Sequence, residues 1–137
     1  MTAVPGLPTR PLYDSTDSLL RFVMRADATL TGLCGLTVAF FADPISSLTG
    51  LTSGQEYALG AFFVLGGLAV FSLAAAPNLR RVGIGIVAAN IVFTLAAIVA
   101  AEAVPMTPTG VAATLATGVY TAAFAGLQYL GVRRLTT

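Results

Sequence analysis

Apolar residues run through this chain in four long blocks, at about 22–42, 57–76, 82–101 and 110–132, separated by short polar or proline-bearing segments. Each block matches the ~20 mostly apolar residues that a helix needs to cross a bilayer. The connections are too short for anything but antiparallel neighbours. The pattern therefore predicts an all-α membrane protein, with four transmembrane helices in an up-down-up-down bundle.

The punctuation between blocks is specific. Asp43-Pro44 follows "AFFA" and is expected to end the first span, because proline cannot continue a helix interior. "PISSLTGL" then places Ile45, Leu48 and Leu51 at three-residue spacing. This predicts a short interfacial helix lying flat at the outer surface between spans one and two. "SGQE" at 53–56 matches a capping box in which Ser53 and Glu56 satisfy each other's backbone donors. Pro77-Asn78 makes the inner turn. "MTPTG" opens the last block with Thr107 as N-cap and Pro108 at the first helical position. The stretch "MTAVPGLPTRPLYDS" carries three prolines and little hydrophobicity. It predicts a mobile cytoplasmic tail over 1–15, ahead of one membrane domain over 16–134 and a short C-terminal tail at 135–137. A cleaved secretory signal is not expected, since the first apolar run begins late and is long enough to span.

Composition agrees with lipid as the solvent. The chain is 56% hydrophobic and 9% charged, against about a quarter charged in soluble domains. A soluble chain of this size cannot bury so much apolar surface. Net charge is +1 and there is no basic stripe, which argues against a nucleic-acid partner. All seven basic residues are arginine, and their distribution sets topology. Arg10, Arg21 and Arg25 precede the first span, Arg80 and Arg81 lie between the second and third, and Arg133 and Arg134 follow the fourth. The 43–56 and 102–109 loops have none. Cytoplasmic loops are enriched in basic residues, so both termini and the 77–81 turn are expected on the cytoplasmic side. The Ala-, Gly- and Arg-rich, lysine-free composition looks bacterial, from which a plasma-membrane location would follow.

Several polar residues sit within the spans, and four of them form one candidate group. Asp27 lies roughly 6 Å inside the cytoplasmic boundary, at ~1.5 Å per residue, and shares a helix face with Met24, Thr31 and Cys34. Arg25 points elsewhere, because residues two apart on a helix do not face each other. A carboxylate at this depth needs partners. Asn90 in the third span and Gln128 in the fourth are the candidates, with Arg80 or Arg81 within possible reach. Asp27, Thr31, Asn90 and Gln128 form either a structural polar clasp or a site for a ligand, proton or lipid headgroup. Other polar positions have plainer readings. Glu102 is a solvated end charge, Tyr120 a packing residue, Tyr129 an interfacial anchor and Cys34 a small buried hydrophobe. Small residues recur every four positions at Thr31, Gly35 and Ala39, and again at Gly110, Thr114, Gly118, Ala122 and Gly126. They suit close helix packing, within the bundle or against a second protein.

With no histidine and a single cysteine, intrachain disulfides, the usual zinc spacings, histidine-ligated haem and a histidine base are all absent. No metal, cofactor or catalytic residue is expected. The favoured role is a non-enzymatic accessory subunit or scaffold among membrane lipids, as a homo-oligomer or part of a larger membrane complex. The alternative is a small oligomeric transporter or proton-coupled carrier using Asp27, Asn90 and Gln128. "RAD" at 25–27, "GLTSGQEYALGAFFVLGG" at 50–67, "AAN" at 88–90 and "GLQ" at 126–128 together resemble small bacterial integral membrane proteins with four helices. In size and span number alone the chain is also similar to DoxX-like membrane proteins. Neither resemblance implies an activity.

Overall fold

The computed structural model describes residues 16–135 as five helices: α1 (Ser18–Phe40), α2 (Ala42–Thr49), α3 (Ser53–Leu73), α4 (Leu79–Ala103) and α5 (Pro108–Arg133). No strand occurs among the described residues. The tail expected at 1–15, with Arg10, and the last two residues lie outside them. α3, α4 and α5 are each long and apolar enough to cross a membrane. α1 qualifies together with α2, from which it is bent by 91°.

That bend corrects two details of the first span. The chain breaks at Phe41 (φ −112°, ψ 31°), ahead of Pro44. Pro44 falls in the first turn of α2, where a helix has no use for the missing N–H. The proline therefore helps to start α2 rather than to stop α1. The short helix also begins earlier than expected, at Ala42, and it ends at Thr49, which leaves Leu51 in the connection. Gly50 makes that ending possible. It adopts a left-handed conformation (φ 81°), and a Cβ there would lie 3.0 Å from Thr107 N.

The cap of α3 is also one residue earlier than the sequence pattern suggests. Thr52 Oγ1 accepts from Gln55 N at 3.0 Å, and Gln55 Oε1 accepts from Thr52 N at 2.9 Å. The box is thus Thr52–Gln55, not Ser53–Glu56. Glu56 is left for another purpose: it is buried and accepts a hydrogen bond from Thr49 Oγ1, which ties α3 to α2. α5 starts as the sequence indicates, with Thr107 Oγ1 accepting from Gly110 N at 3.1 Å. Thr107 also holds the end of α2, donating from its N–H to Thr49 O at 2.9 Å and from its hydroxyl to Leu48 O.

The long helices form two close pairs. In the first, Gly60 faces Gly35 and Ala39, while Gly67 faces Ala28 and Gly32. Rising numbers on α3 meet falling numbers on α1, so the two run antiparallel. The approach is backbone to backbone: a Cβ on Gly35 would lie 2.6 Å from Gly60 O, and one on Gly60 would lie 2.6 Å from Gly35 O. Only glycine on both sides allows this distance. In the second pair, Gly118 packs on Ala97 of α4. The pairs are joined where α1 meets α5, whereas α3 and α4 scarcely touch.

One end of the bundle is sealed by the buried cluster of Leu20, Met24, Ala74, Leu79 and Val132. Arg21, Arg25, Arg80, Arg81, Arg133 and Arg134 all belong to the helix ends around it. Arg21 is the partly buried member. It pairs with Asp17 at 3.1 Å and donates to the carbonyls of Ala74 and Ala76, closing the C-terminal end of α3. The opposite end carries Asp43, Glu56 and Glu102 and no arginine.

The four-residue stripe on α5 does not hold together as one surface. Steps of four drift by about 40° each on a 3.6-residue helix. Gly110 and Gly118 are buried, but Ala122 and Gly126 are exposed. The buried line instead runs Gly118, Thr121, Ala125, Gln128 and Val132, alternating steps of three and four.

The glycine contact makes a direct prediction. Gly60→Val should lower stability in detergent by about 1–3 kcal/mol or more through overpacking. Gly66→Ala, where an added Cβ meets nothing within 4 Å, should leave the melting temperature unchanged or slightly raised. Circular-dichroism melts of the two variants against the parent check this.

Candidate functional site

Asp27 lies about two and a half turns into α1 and is only 6% exposed. Its carboxylate collects donors from three helices. Thr31 Oγ1, one turn further along α1, donates to Oδ1 at 3.1 Å. Tyr120 of α5 places its hydroxyl 2.9 Å from the same oxygen and 3.1 Å from the Asp27 carbonyl. On the other oxygen, Gln128 Nε2 of α5 donates at 2.8 Å and Asn90 Nδ2 of α4 at 3.2 Å. Asn90 Nδ2 also donates to Gln128 Oε1 at 2.7 Å. A carboxylate is acceptor-only, with about four lone-pair sites, and here four side chains fill them.

The two halves of this clasp differ in kind. On the Oδ2 side the donors are amide NH₂ groups, and the mutual bond between Asn90 and Gln128 fixes their orientation. On the Oδ1 side the donors are hydroxyls. Thr31 and Tyr120 lie 3.2 Å apart and bring two protons to three acceptors: Oδ1, the Asp27 carbonyl and each other. That side has more than one acceptable proton arrangement.

Helix geometry explains why these residues meet. Tyr120 and Gln128 are eight apart on α5, just over two turns, and so share a face. A second polar layer lies one turn along α4. Thr94 Oγ1 donates to Asn90 O at 2.9 Å and lies 2.7 Å from Thr121 Oγ1. Among the described residues, no buried side-chain nitrogen or oxygen is left without a partner.

All four residues singled out from the sequence, Asp27, Thr31, Asn90 and Gln128, come together. The arginine considered as a partner does not join them. Asp27 has no ion pair among the described residues, and Arg80 and Arg81 are exposed. They stand roughly 13–15 Å along the axis from Asn90 at ~1.5 Å per residue, and the carboxylate is already saturated. Tyr120, whose position in the sequence suggests packing, is a further member of the clasp. The available signal was its register with Gln128. Cys34 is exposed rather than buried, although it lies on the same side of α1 as Asp27. Glu102 is exposed, and so is Tyr129, whose ring lies 5.9 Å from the Arg133 guanidinium carbon.

Beside the clasp, the four long helices line a cavity of about 390 Å³ that is open on one side. Asp27, Thr31, Asn90 and Tyr120 contribute to its wall, and the remainder is mainly apolar or small residues, with Phe62, Phe63 and Phe93 the largest. No group of three or more metal-ligating side chains occurs among the described residues. Comparison with protein-family models, with curated proteins and with solved structures found no match.

The mixed character of the clasp predicts an asymmetric mutational response. Asp27→Asn can turn its new NH₂ toward the hydroxyls, which are able to accept, and keep its oxygen toward Gln128 and Asn90. Its stability loss should be small. Asp27→Leu leaves Gln128 Nε2 without its acceptor and takes one acceptor each from Asn90, Thr31 and Tyr120, at about 1–3 kcal/mol for an unsatisfied buried group. Thermal unfolding in one detergent should rank the parent and Asp27→Asn close together, with Asp27→Leu far below.

Proposed function

We propose that this chain is a four-span plasma-membrane protein with both termini cytoplasmic, and that it has a non-enzymatic role as an accessory subunit or scaffold. Three helices suited to crossing and the bent α1–α2 pair support the span count. The gathering of arginines at one end of the bundle, with acidic residues at the other, supports the orientation. If α1 crosses the bilayer, the 91° bend lays α2 along the outer surface. There Phe40, Leu48 and Tyr57 expose large apolar faces at the depth where amphipathic helices settle.

The observation that carries the non-transporting role is the saturation of Asp27. A carrier site must offer its carboxylate to a proton or cation, whereas this one is fully engaged by Thr31, Tyr120, Asn90 and Gln128. Such a group fixes three helices relative to one another. The connections, at 50–52, 74–78 and 104–107, are too short to carry a site of their own. Contact with partners is then left to the lipid-facing flanks and the two ends.

In a Cys34→Ala background, Ser47→Cys should react with a membrane-impermeant maleimide added to intact cells. Asn78→Cys should react only after permeabilisation. Labelling of Asn78→Cys from outside would overturn the orientation. A proton or cation flux into proteoliposomes that Asp27→Asn abolishes would replace the clasp by a carrier built on Asp27, Asn90 and Gln128.

A further inference from the structure

The clasp leaves one polar atom unused. Asn90 is 8% exposed, and both of its side-chain hydrogen bonds are made through Nδ2. The two oxygens it faces, on Asp27 and Gln128, require that orientation of the amide. Asn90 Oδ1 therefore has no hydrogen-bond partner among the described residues. It is also not sealed off, since every fully enclosed side-chain oxygen or nitrogen has one. Asn90 borders the cavity, the space that its free acceptor can face.

The cavity's size and surroundings restrict what such an acceptor would meet. A volume of about 390 Å³ falls within the roughly 300–1,000 Å³ typical of small-molecule sites. The other walls, including Phe63, Val70 and Ile86, are mainly apolar, and the hydroxyls of Thr117 and Thr121 already donate to the carbonyls of Ala113 and Gly118. Leu30, Phe62 and Phe93 also line it, and they are 50%, 51% and 40% exposed. The Phe62 and Phe93 rings, with centroids 5.6 Å apart, bridge α3 and α4, the two long helices that scarcely touch. The cavity thus opens to the apolar flank between these side chains. Toward the arginine-bearing end it reaches Val70 and Ile86, which pack against the Leu20 cluster.

Charge narrows the choice further. No arginine lines the cavity, so an anion finds no counter-ion and faces the Asp27 carboxylate. A cation finds that carboxylate already saturated. A neutral molecule with a donor to offer is what remains.

We propose that this cavity binds a neutral, mainly apolar molecule with a single hydrogen-bond donor, a lipophilic alcohol or phenol drawn from the bilayer, whose donor meets Asn90 Oδ1. The source in the bilayer rests on the membrane-spanning arrangement proposed above, which the cysteine labelling tests separately. The site requires no change in the clasp, because Nδ2 and Oδ1 of Asn90 serve different partners.

The test uses the full chain in lipid nanodiscs and two fluorescent probes, 1-pyrenemethanol, which has a hydroxyl donor, and 1-methylpyrene, which has none. Binding is the saturable signal above protein-free nanodiscs of the same lipid. The parent should bind 1-pyrenemethanol at one site and 1-methylpyrene at least about tenfold more weakly. Gly66 lies in the cavity wall, with open space where a side chain would project. Gly66→Phe should therefore fill the cavity and abolish saturable binding, while the melting temperature is kept. Ala89→Phe, also in the wall, does the same from α4 and serves if Gly66→Phe fails to fold. No saturable binding by the folded parent, equal affinity for the two probes, or full binding by a folded cavity-filling variant would each overturn the proposal.

Discussion

The arrangement of the long helices depends on one carboxylate that has no counter-ion among the described residues. Asp27 is placed well inside an apolar helix, where an unpaired polar group costs roughly 2–7 kcal/mol against an apolar reference. α1 supplies only Thr31. The other donors must come from α4 and α5, and they fix the heights at which those helices meet α1. Tyr120, Gln128 and Asn90 reach Asp27 simultaneously only when α5 runs antiparallel to α1 and α4 runs parallel to it. Hydrogen bonds between helices in an apolar setting are individually modest. A network in which each member has several partners is harder to rearrange, because a slip of one helix leaves several buried groups unsatisfied at once.

Close packing completes what the clasp begins. α3 contributes nothing to the carboxylate. It is held instead by the glycine contacts with α1, by Arg21 at its C-terminal end and by the Thr52–Gln55 box and Glu56 at its N-terminal end. Having no polar tie to α4, it stands away from that helix, and the space left between them becomes part of the cavity. The position of the cavity thus follows from where hydrogen bonding stops: three helices are drawn together at Asp27, and the fourth is attached along one side only.

The two ends differ chemically for a similar reason. At the arginine-bearing end the chain closes over a buried apolar cluster, and arginine side chains either cap carbonyls or extend outward. At the other end α2 folds across, and its last carbonyls are taken up by Thr107 before α5 begins. Threonine fulfils both duties there, as cap and as tie, because a hydroxyl donates and accepts at once.

By itself the sequence determined the helical character, the approximate extent of the four apolar segments, the α5 cap at Thr107 and Pro108, and the one-sided placement of the arginines. It also picked out Asp27, Thr31, Asn90 and Gln128, because polar residues inside apolar runs are costly and must find one another. All of these depend on residue type and local spacing. The tertiary structure alone decided that Tyr120 completes the clasp while the arginines do not. It also decided that the break falls at Phe41 ahead of Pro44, that Thr52 rather than Ser53 caps α3, and that only part of the four-residue stripe on α5 is buried. Each depends on the rotation of one helix about its axis against another, or on a competition between neighbouring partners. Spacing along a single helix constrains neither, because a residue's own helix does not say which face its neighbours will take.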